Sequence, residues 1–187
     1  MALLQSGDIR GLEPLFRLHQ VQATRTAYLI TGDRSLAEDA VMDAFLAVYD
    51  HIGQFDPRRP FLPWFYRIVV NNALMVVRKA RRSPTRSDRD DQPLPYGRSL
   101  LPDPEEAVMM RERQELLVAA FNSLPPKQRA ALALRCYLDM DEGTIAQTLN
   151  CPLGTVKWRL YAARQKIRRM LDEEFGIPVF SASGGRQ

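Results

Sequence analysis

Six residues on one short stretch define the chemistry open to this chain. Between Pro152 and Arg169 stand Thr155, Lys157, Trp158, Arg159, Arg164 and Lys166, with no acidic residue among them. Ammonium and guanidinium groups three and four apart share a helix face, where they neutralise phosphates and, for arginine, take the paired acceptors of a guanine edge. Threonine and tryptophan on that face can contact base methyls or the sugar-phosphate wall. Catalytic chemistry has far less to work with. His19 and His51 are the two histidines, and neither sits in a nucleophile or metal-ligand constellation. Cys136 and Cys151 have no CxxC or Cys/His neighbours, so no metal, cofactor or catalytic residue is expected, and the chain reads as a non-enzyme whose cysteines are reduced small hydrophobes.

The element that positions those six residues is Asp141 to Arg169, which reads as a short helix, a tight turn and a long basic helix. Asp141 is suited to an N-cap, Ile145, Ala146 and Leu149 share a face, and Asn150 stands where a chain leaving a helix needs tolerance of positive φ. Cys-Pro-Leu-Gly supplies the turn. Val156, Leu160, Ala163 and Ile167 then recur at spacings of four, three and four, one apolar stripe that turns the basic face outward. A basic face alone is usually a solvated surface. The turn, the stripe and the missing acids together favour a helix-turn-helix in a major groove.

Charge is uneven along the 187 residues, whose net balance is only +4. Arg34 is the single Lys or Arg between Asp33 and Asp56, a span holding Glu38, Asp39, Asp43 and Asp50. Pro57 to Arg82 reverses this, with Arg58, Arg59, Arg67, Arg78, Lys79, Arg81 and Arg82 and no acid. Two surfaces of opposite sign imply two partners, one cationic and one polyanionic.

The spacing predicts helices throughout. Leu4 to Ile30, with a start signal at Ser6-Gly7-Asp8, forms the first helix in one piece or two. Ser35 to Ile52 opens on a Ser35/Glu38 capping box and buries Ala37, Val41, Ala44, Phe45 and Val48. Gln54 to Pro60 is a loop between prolines, and Phe61 to Arg82 a helix with an aromatic start and a basic end. Its aromatics could stack on unpaired bases, although Phe61, Phe65 and Ile68 are spaced as core and at least half should be buried. Ser83 to Glu106 holds five prolines and no apolar period, a flexible linker. Helices resume from about Pro104 to Phe121 and from Ser123 to Tyr137, and 175–187 reads as a disordered tail. The expected fold is all-α: two small helical domains, 4–82 and 107–174, joined by that tether. Neither a leader nor a membrane-length apolar run is seen, so a cytoplasmic location without membrane insertion is expected.

These segments resemble a known family. GDRSLAEDAVMDAFLAVYDHIGQFDPRRPFLPWFYRIVVNNAL is similar to region 2 of bacterial sigma factors, and SLPPKQRAALALRCYLDMDEGTIAQTLNCPLGTVKWRLYAARQKIRRML to region 4. Two such regions with a proline-rich connection between them resemble the extracytoplasmic-function (ECF) group. The resemblance implies a protein that binds core RNA polymerase, through the β′ coiled coil and the β subunit, and directs it to promoter DNA. It implies polymerase contacts at Glu38, Asp39 and Asp43. For the unwound −10 element it implies Arg58, Arg59, Trp64, Arg67, Asn71, Asn72, Arg78 and Lys79, and for the −35 duplex Thr155, Lys157, Trp158, Arg159 and Arg164. It also leaves room for an anti-sigma factor. Trp158 replaces a residue that is often Ser in the family, which should alter the −35 sequences preferred. The competing reading is a polymerase-independent, dimeric helix-turn-helix regulator on a palindrome.

Overall fold

The computed structural model describes residues 2–5, 7–82 and 115–175, and every regular element among them is helical. The expected linker, the start of the second unit and the tail after Phe175 lie outside the described residues. The first helix is interrupted. Ala2–Gln5 (α1) is followed by a turn in which Asp8 caps the short 3-10 segment Ile9–Gly11, and Leu12–Thr31 (α2) continues from there. Helix α2 stops at Gly32, whose φ of 71° places it in the left-handed region, where glycine has no Cβ penalty.

Helix α3, Arg34–His51, starts two residues earlier than the capping box requires. Asp33 takes the cap, accepting the Leu36 N–H at 2.8 Å, while Glu38 pairs with Arg34 at 2.9 Å. An ionised carboxylate is a stronger acceptor for an orphan helix N–H than a serine hydroxyl, so the aspartate wins the position. The α3 stripe Ala37, Val41, Ala44, Phe45 and Val48 is buried as its spacing requires. A single 3-10 turn, Ile52–Gln54, leads into the proline-bounded loop and then Phe61–Arg82 (α4). Helices α2, α3 and α4 pack on one another around Phe16, Phe45 and Phe65, with successive ring centroids 4.9 and 5.2 Å apart. Such pairs add about 0.5–1.5 kcal/mol beyond area burial.

The second unit comprises the helical residues 115–122 (α5), Pro126–Cys136 (α6), Glu142–Thr148 (α7) and Leu153–Phe175 (α8). Pro126 sits at the first helical position of α6, where a missing N–H costs nothing. Val156, Leu160 and Ala163 of α8 are fully buried against α6 and α7, and Ile167 packs at the edge of that core. The units do not stand apart. α6 lies against α2 and α7 against α4, so the buried residues of both belong to one continuous apolar cluster.

Candidate nucleic-acid interface

The recognition helix is set by two caps. Asp141 accepts the Thr144 N–H at 2.9 Å and starts α7, and its hydrogen bonds to Thr144 hold the carboxyl below the usual carboxylate range. At the other end Asn150 adopts φ 47°, and the Cys151 N–H reaches back to the Ala146 carbonyl at 3.0 Å, closing the helix as a Schellman turn. Asparagine is among the few side chains that tolerate this conformation. Pro152 then starts α8 by accepting the Thr155 N–H on its carbonyl at 2.9 Å.

With Val156, Leu160 and Ala163 facing inward, Lys157, Trp158 and Arg164 stand exposed on the outer face. Trp158 retains 62% of its surface. Tyr161, one turn further and equally open, joins that face, although its aromatic type drew no attention in the sequence. Thr155 is half-buried at the first turn. Two of the basic residues point elsewhere. Arg159 is half-buried with Nη1 3.4 Å from Cys151 Sγ, and Lys166 donates through Nζ to the Ser123 carbonyl at 2.7 Å, fastening the end of α5 to α8.

The proline-bounded loop is held by a residue that charge counting passed over. Asp56 accepts the Arg58 N–H at 3.0 Å and pairs with the Arg58 guanidinium at 3.0 Å and with Arg59 at 3.8 Å. The Arg58 contacts draw its carboxyl down, with a smaller contribution from Arg59. Both arginines nevertheless remain more than 80% exposed, so this local turn shapes the loop while its cationic ends face solvent. Along α4, Arg67, Asn71, Met75, Arg78 and Arg82 lie at spacings of four, four, three and four and are all exposed, an unbroken stripe that also takes in the neighbouring Lys79. Basic side chains in the last turn also suit the helix dipole, which accounts for part of this clustering. Asn72 is turned inward, its amide reaching the Ala40 carbonyl at 3.5 Å.

The aromatics opening α4 serve mainly as core. Phe65 and Tyr66 are buried, and Phe61 and Trp64 are half-buried against Phe55, with Trp64 5.1 Å from the Phe55 ring. Trp64 therefore offers one edge outward. On α3, Glu38, Asp39, Asp43 and Asp50 are exposed, and they flank Met42 and Leu46, which leave 53% and 49% of their surface open. The outer face of α3 thus carries an exposed apolar pair bordered by carboxylates.

Among the described residues every regular element is helical, and the exposed basic face of α8 and the exposed acidic face of α3 lie on different elements. Residues 15–83 match the family model for sigma-70 region 2, and residues 114–167 that for sigma-70 region 4. The RNA polymerase sigma-H factor of Pseudomonas aeruginosa is 30% identical, covering 90% of each chain. The ECF RNA polymerase sigma-E factor of Escherichia coli K12 is 30% identical over 88% of each. Among solved structures, the sigma factor RpoE from Bartonella quintana, in complex with the anti-sigma factor NepR, superimposes with a TM-score of 0.69 at 20% identity, covering 88% of this chain and 98% of that one. CnrH in complex with the cytosolic domain of CnrY gives 0.64 at 22%, covering 92% and 95%.

The chain belongs to the sigma-70 family, in its ECF group. It is thus a sigma factor of promoter-specific transcription, a DNA-recognition subunit of RNA polymerase without catalysis of its own. Among the described residues no helix is long and apolar enough to cross a membrane.

Proposed function

We propose that three surfaces divide the work of initiation. The observation that carries this reading is the outer face of α8, where Lys157, Trp158, Tyr161 and Arg164 stand open on a fully buried Val156–Leu160–Ala163 stripe. A helix so anchored can lie in a major groove without distorting its own domain, and it reads the −35 element as duplex. The Asp56-shaped loop with Arg58 and Arg59, together with the α4 stripe of Arg67, Asn71, Arg78 and Lys79, holds the separated strands of the −10 element. Glu38, Asp39 and Asp43, with Met42 and Leu46 between them, dock on core polymerase at the β′ coiled coil. Apolar residues at the centre supply the desolvated contact, and the rim of carboxylates selects a basic partner and its orientation. The region 4 unit adds a contact to the β subunit.

Permanganate footprinting of the polymerase complex separates the two DNA surfaces. Lys157→Ala with Arg164→Ala is expected to weaken −35 binding and to lower the salt slope by about one for each phosphate no longer neutralised, with normal thymine reactivity near −10 once protein is raised to saturation. Arg58→Ala with Arg59→Ala is expected to bind −35 DNA normally and open the strands poorly. Normal opening by the Arg58/Arg59 variant would sink the assignment of the loop.

A further inference from the structure

The segment ahead of α2 is held down more firmly than its length requires. α1 has only four residues, too few to persist as a helix on its own. Its end is closed as a Schellman turn: the N–H of Gly7, at φ 81°, donates to the Leu4 carbonyl at 3.0 Å, and the Asp8 N–H to the Leu3 carbonyl at 2.9 Å. Leu4 is fully buried. The Tyr49 hydroxyl of α3 donates to the Gly7 carbonyl at 2.9 Å, tying this turn to a helix remote in sequence. Gly11 lies directly against α1: a Cβ there would stand 2.7 Å from the Leu4 nitrogen and 2.9 Å from Leu3 Cβ and Leu4 Cγ. The φ of Gly11 is −66°, which any residue adopts, so glycine serves the close approach of the two backbones.

What α1 covers is the base of the proline-bounded loop. It packs on the 3-10 turn Ile52–Gln54, where α3 hands the chain over to that loop, and Leu4, Ile52 and Phe55 belong to one buried cluster. The Phe55 N–H donates to the Ile52 carbonyl at 3.1 Å. The Phe55 ring in turn meets the rings that open α4, Phe61 at 5.8 Å and Trp64 at 5.1 Å. The two ends of the loop thus close on each other through aromatic contacts. Between them, the contacts of Asp56 with Arg58 and Arg59 are internal to the tip, so they fix its shape and leave its direction to the base. A group that must meet its target in one geometry depends on the layer packed behind it, and α1 is part of that layer.

We propose that α1 is a positioning element for strand opening: Leu4, seated on Gly11 and tied down through Tyr49, backs the Ile52–Gln54 turn and so aims Arg58 and Arg59 at the separated strands. Leu4 and Tyr49 act through the loop and touch no DNA themselves. A role confined to stability would weaken every surface of the protein together, whereas a role in aiming the loop is felt at the −10 element alone. The consequence for DNA rests on the functional reading above; the hold of α1 on the loop does not.

The test uses the full chain in three variants: Leu4→Ala, which empties the contact, Gly11→Ala, which pushes α1 off by its added Cβ, and Leu4→Met, which refills the contact. With core polymerase and protein at saturation, the first two are each expected to lower permanganate reactivity of the −10 thymines about fivefold, the loop then keeping its held position about one time in five, while −35 binding stays parental. Leu4→Met is expected to open promoters as the parent does. In a Trp158→Phe background Trp64 is the remaining tryptophan, and its emission reports the packing of the loop's base against Phe55. That emission is expected to move to longer wavelength in Leu4→Ala and Gly11→Ala, with helicity by circular dichroism kept, and to stay in place in Leu4→Met. Parental Trp64 emission in both Leu4→Ala and Gly11→Ala overturns the hold on the loop. Shifted emission with parental opening overturns the aiming, and so does a loss of −35 binding as large as the loss of opening, the mark of simple unfolding. Normal opening by Arg58→Ala with Arg59→Ala removes the functional reading instead, and Trp64 emission still decides whether α1 holds the loop.

Discussion

Trp158→Ala isolates what the recognition helix contributes beyond charge. A tryptophan buries at most roughly 250 Å². With 62% of Trp158 still open, about 150 Å² remains to be covered on docking, a ceiling of about 4 kcal/mol at ~25 cal/mol per Å². Ordering the side chain and desolvating the groove absorb much of that. The expected loss is therefore about 1–2 kcal/mol, roughly a five- to thirtyfold rise in Kd for the promoter complex. Folding should be almost untouched, within about 0.5 kcal/mol, because the side chain is outside the core. The assay is competition between promoter fragments that differ by one −35 base pair, with parent and variant holoenzyme side by side and thermal unfolding as the control. If the variant binds with parental affinity and ranks the −35 sequences as the parent does, Trp158 does not face the groove and the outward orientation of α8 is wrong for DNA.

Three further outcomes follow from particular contacts. Leu160→Ala removes a 1% exposed residue from beneath the recognition face and should cost about 2–5 kcal/mol of stability, read as a lowered midpoint in urea; a change below about 0.5 kcal/mol would mean α8 is not anchored there. Asp39→Lys with Asp43→Lys should reduce the affinity for core polymerase while leaving circular dichroism unchanged, and unaltered affinity in a titration would remove α3 as the docking face. His19 lies half-buried against the Phe61 and Phe65 rings, 5.9 and 5.7 Å from their centroids, and burial lowers its pKa below the ordinary 6.5. Being held neutral in the fold, it contributes stability that is present above pH 6.5 and lost as pH falls through that value towards the lower folded one. His19→Gln should flatten the decline in melting temperature as the solution is taken from neutral to mildly acidic; the same decline in the variant would assign it to other groups.

Periodicity made the helices readable, because an apolar stripe such as Val156, Leu160 and Ala163 has only one face on which to be buried. Caps were readable where one residue had no rival, as with Asp141 and Asn150, and misread where two candidates adjoined, as with Asp33 and Ser35. The outward direction of α8 was legible from its stripe, yet Arg159 and Lys166 turned inward to Cys151 and Ser123, partners remote from any helical period. Asp56 stood in the sequence only as the end of the acidic span, and its backbone and guanidinium contacts place it as the loop's organiser. Met42 and Leu46 were invisible for the opposite reason: an exposed apolar residue breaks no pattern until the chain is folded around it. The packing of α6 and α7 on α2 and α4 left no mark in the sequence, because the small residues of such a seam resemble any core.

If this chain gives core RNA polymerase its promoter choice through two separate DNA surfaces, both must leave their imprint on the promoters it selects. Transcription of a genomic library by the purified protein with core polymerase, with every start site mapped, reads that imprint. The expected result is a set of starts that occur only when the protein is added, each preceded by a shared −35 and −10 element at one fixed, asymmetric spacing. Contradiction would be an absence of new starts, together with tight binding of the protein alone to palindromes whose half-sites lie about one helical turn apart.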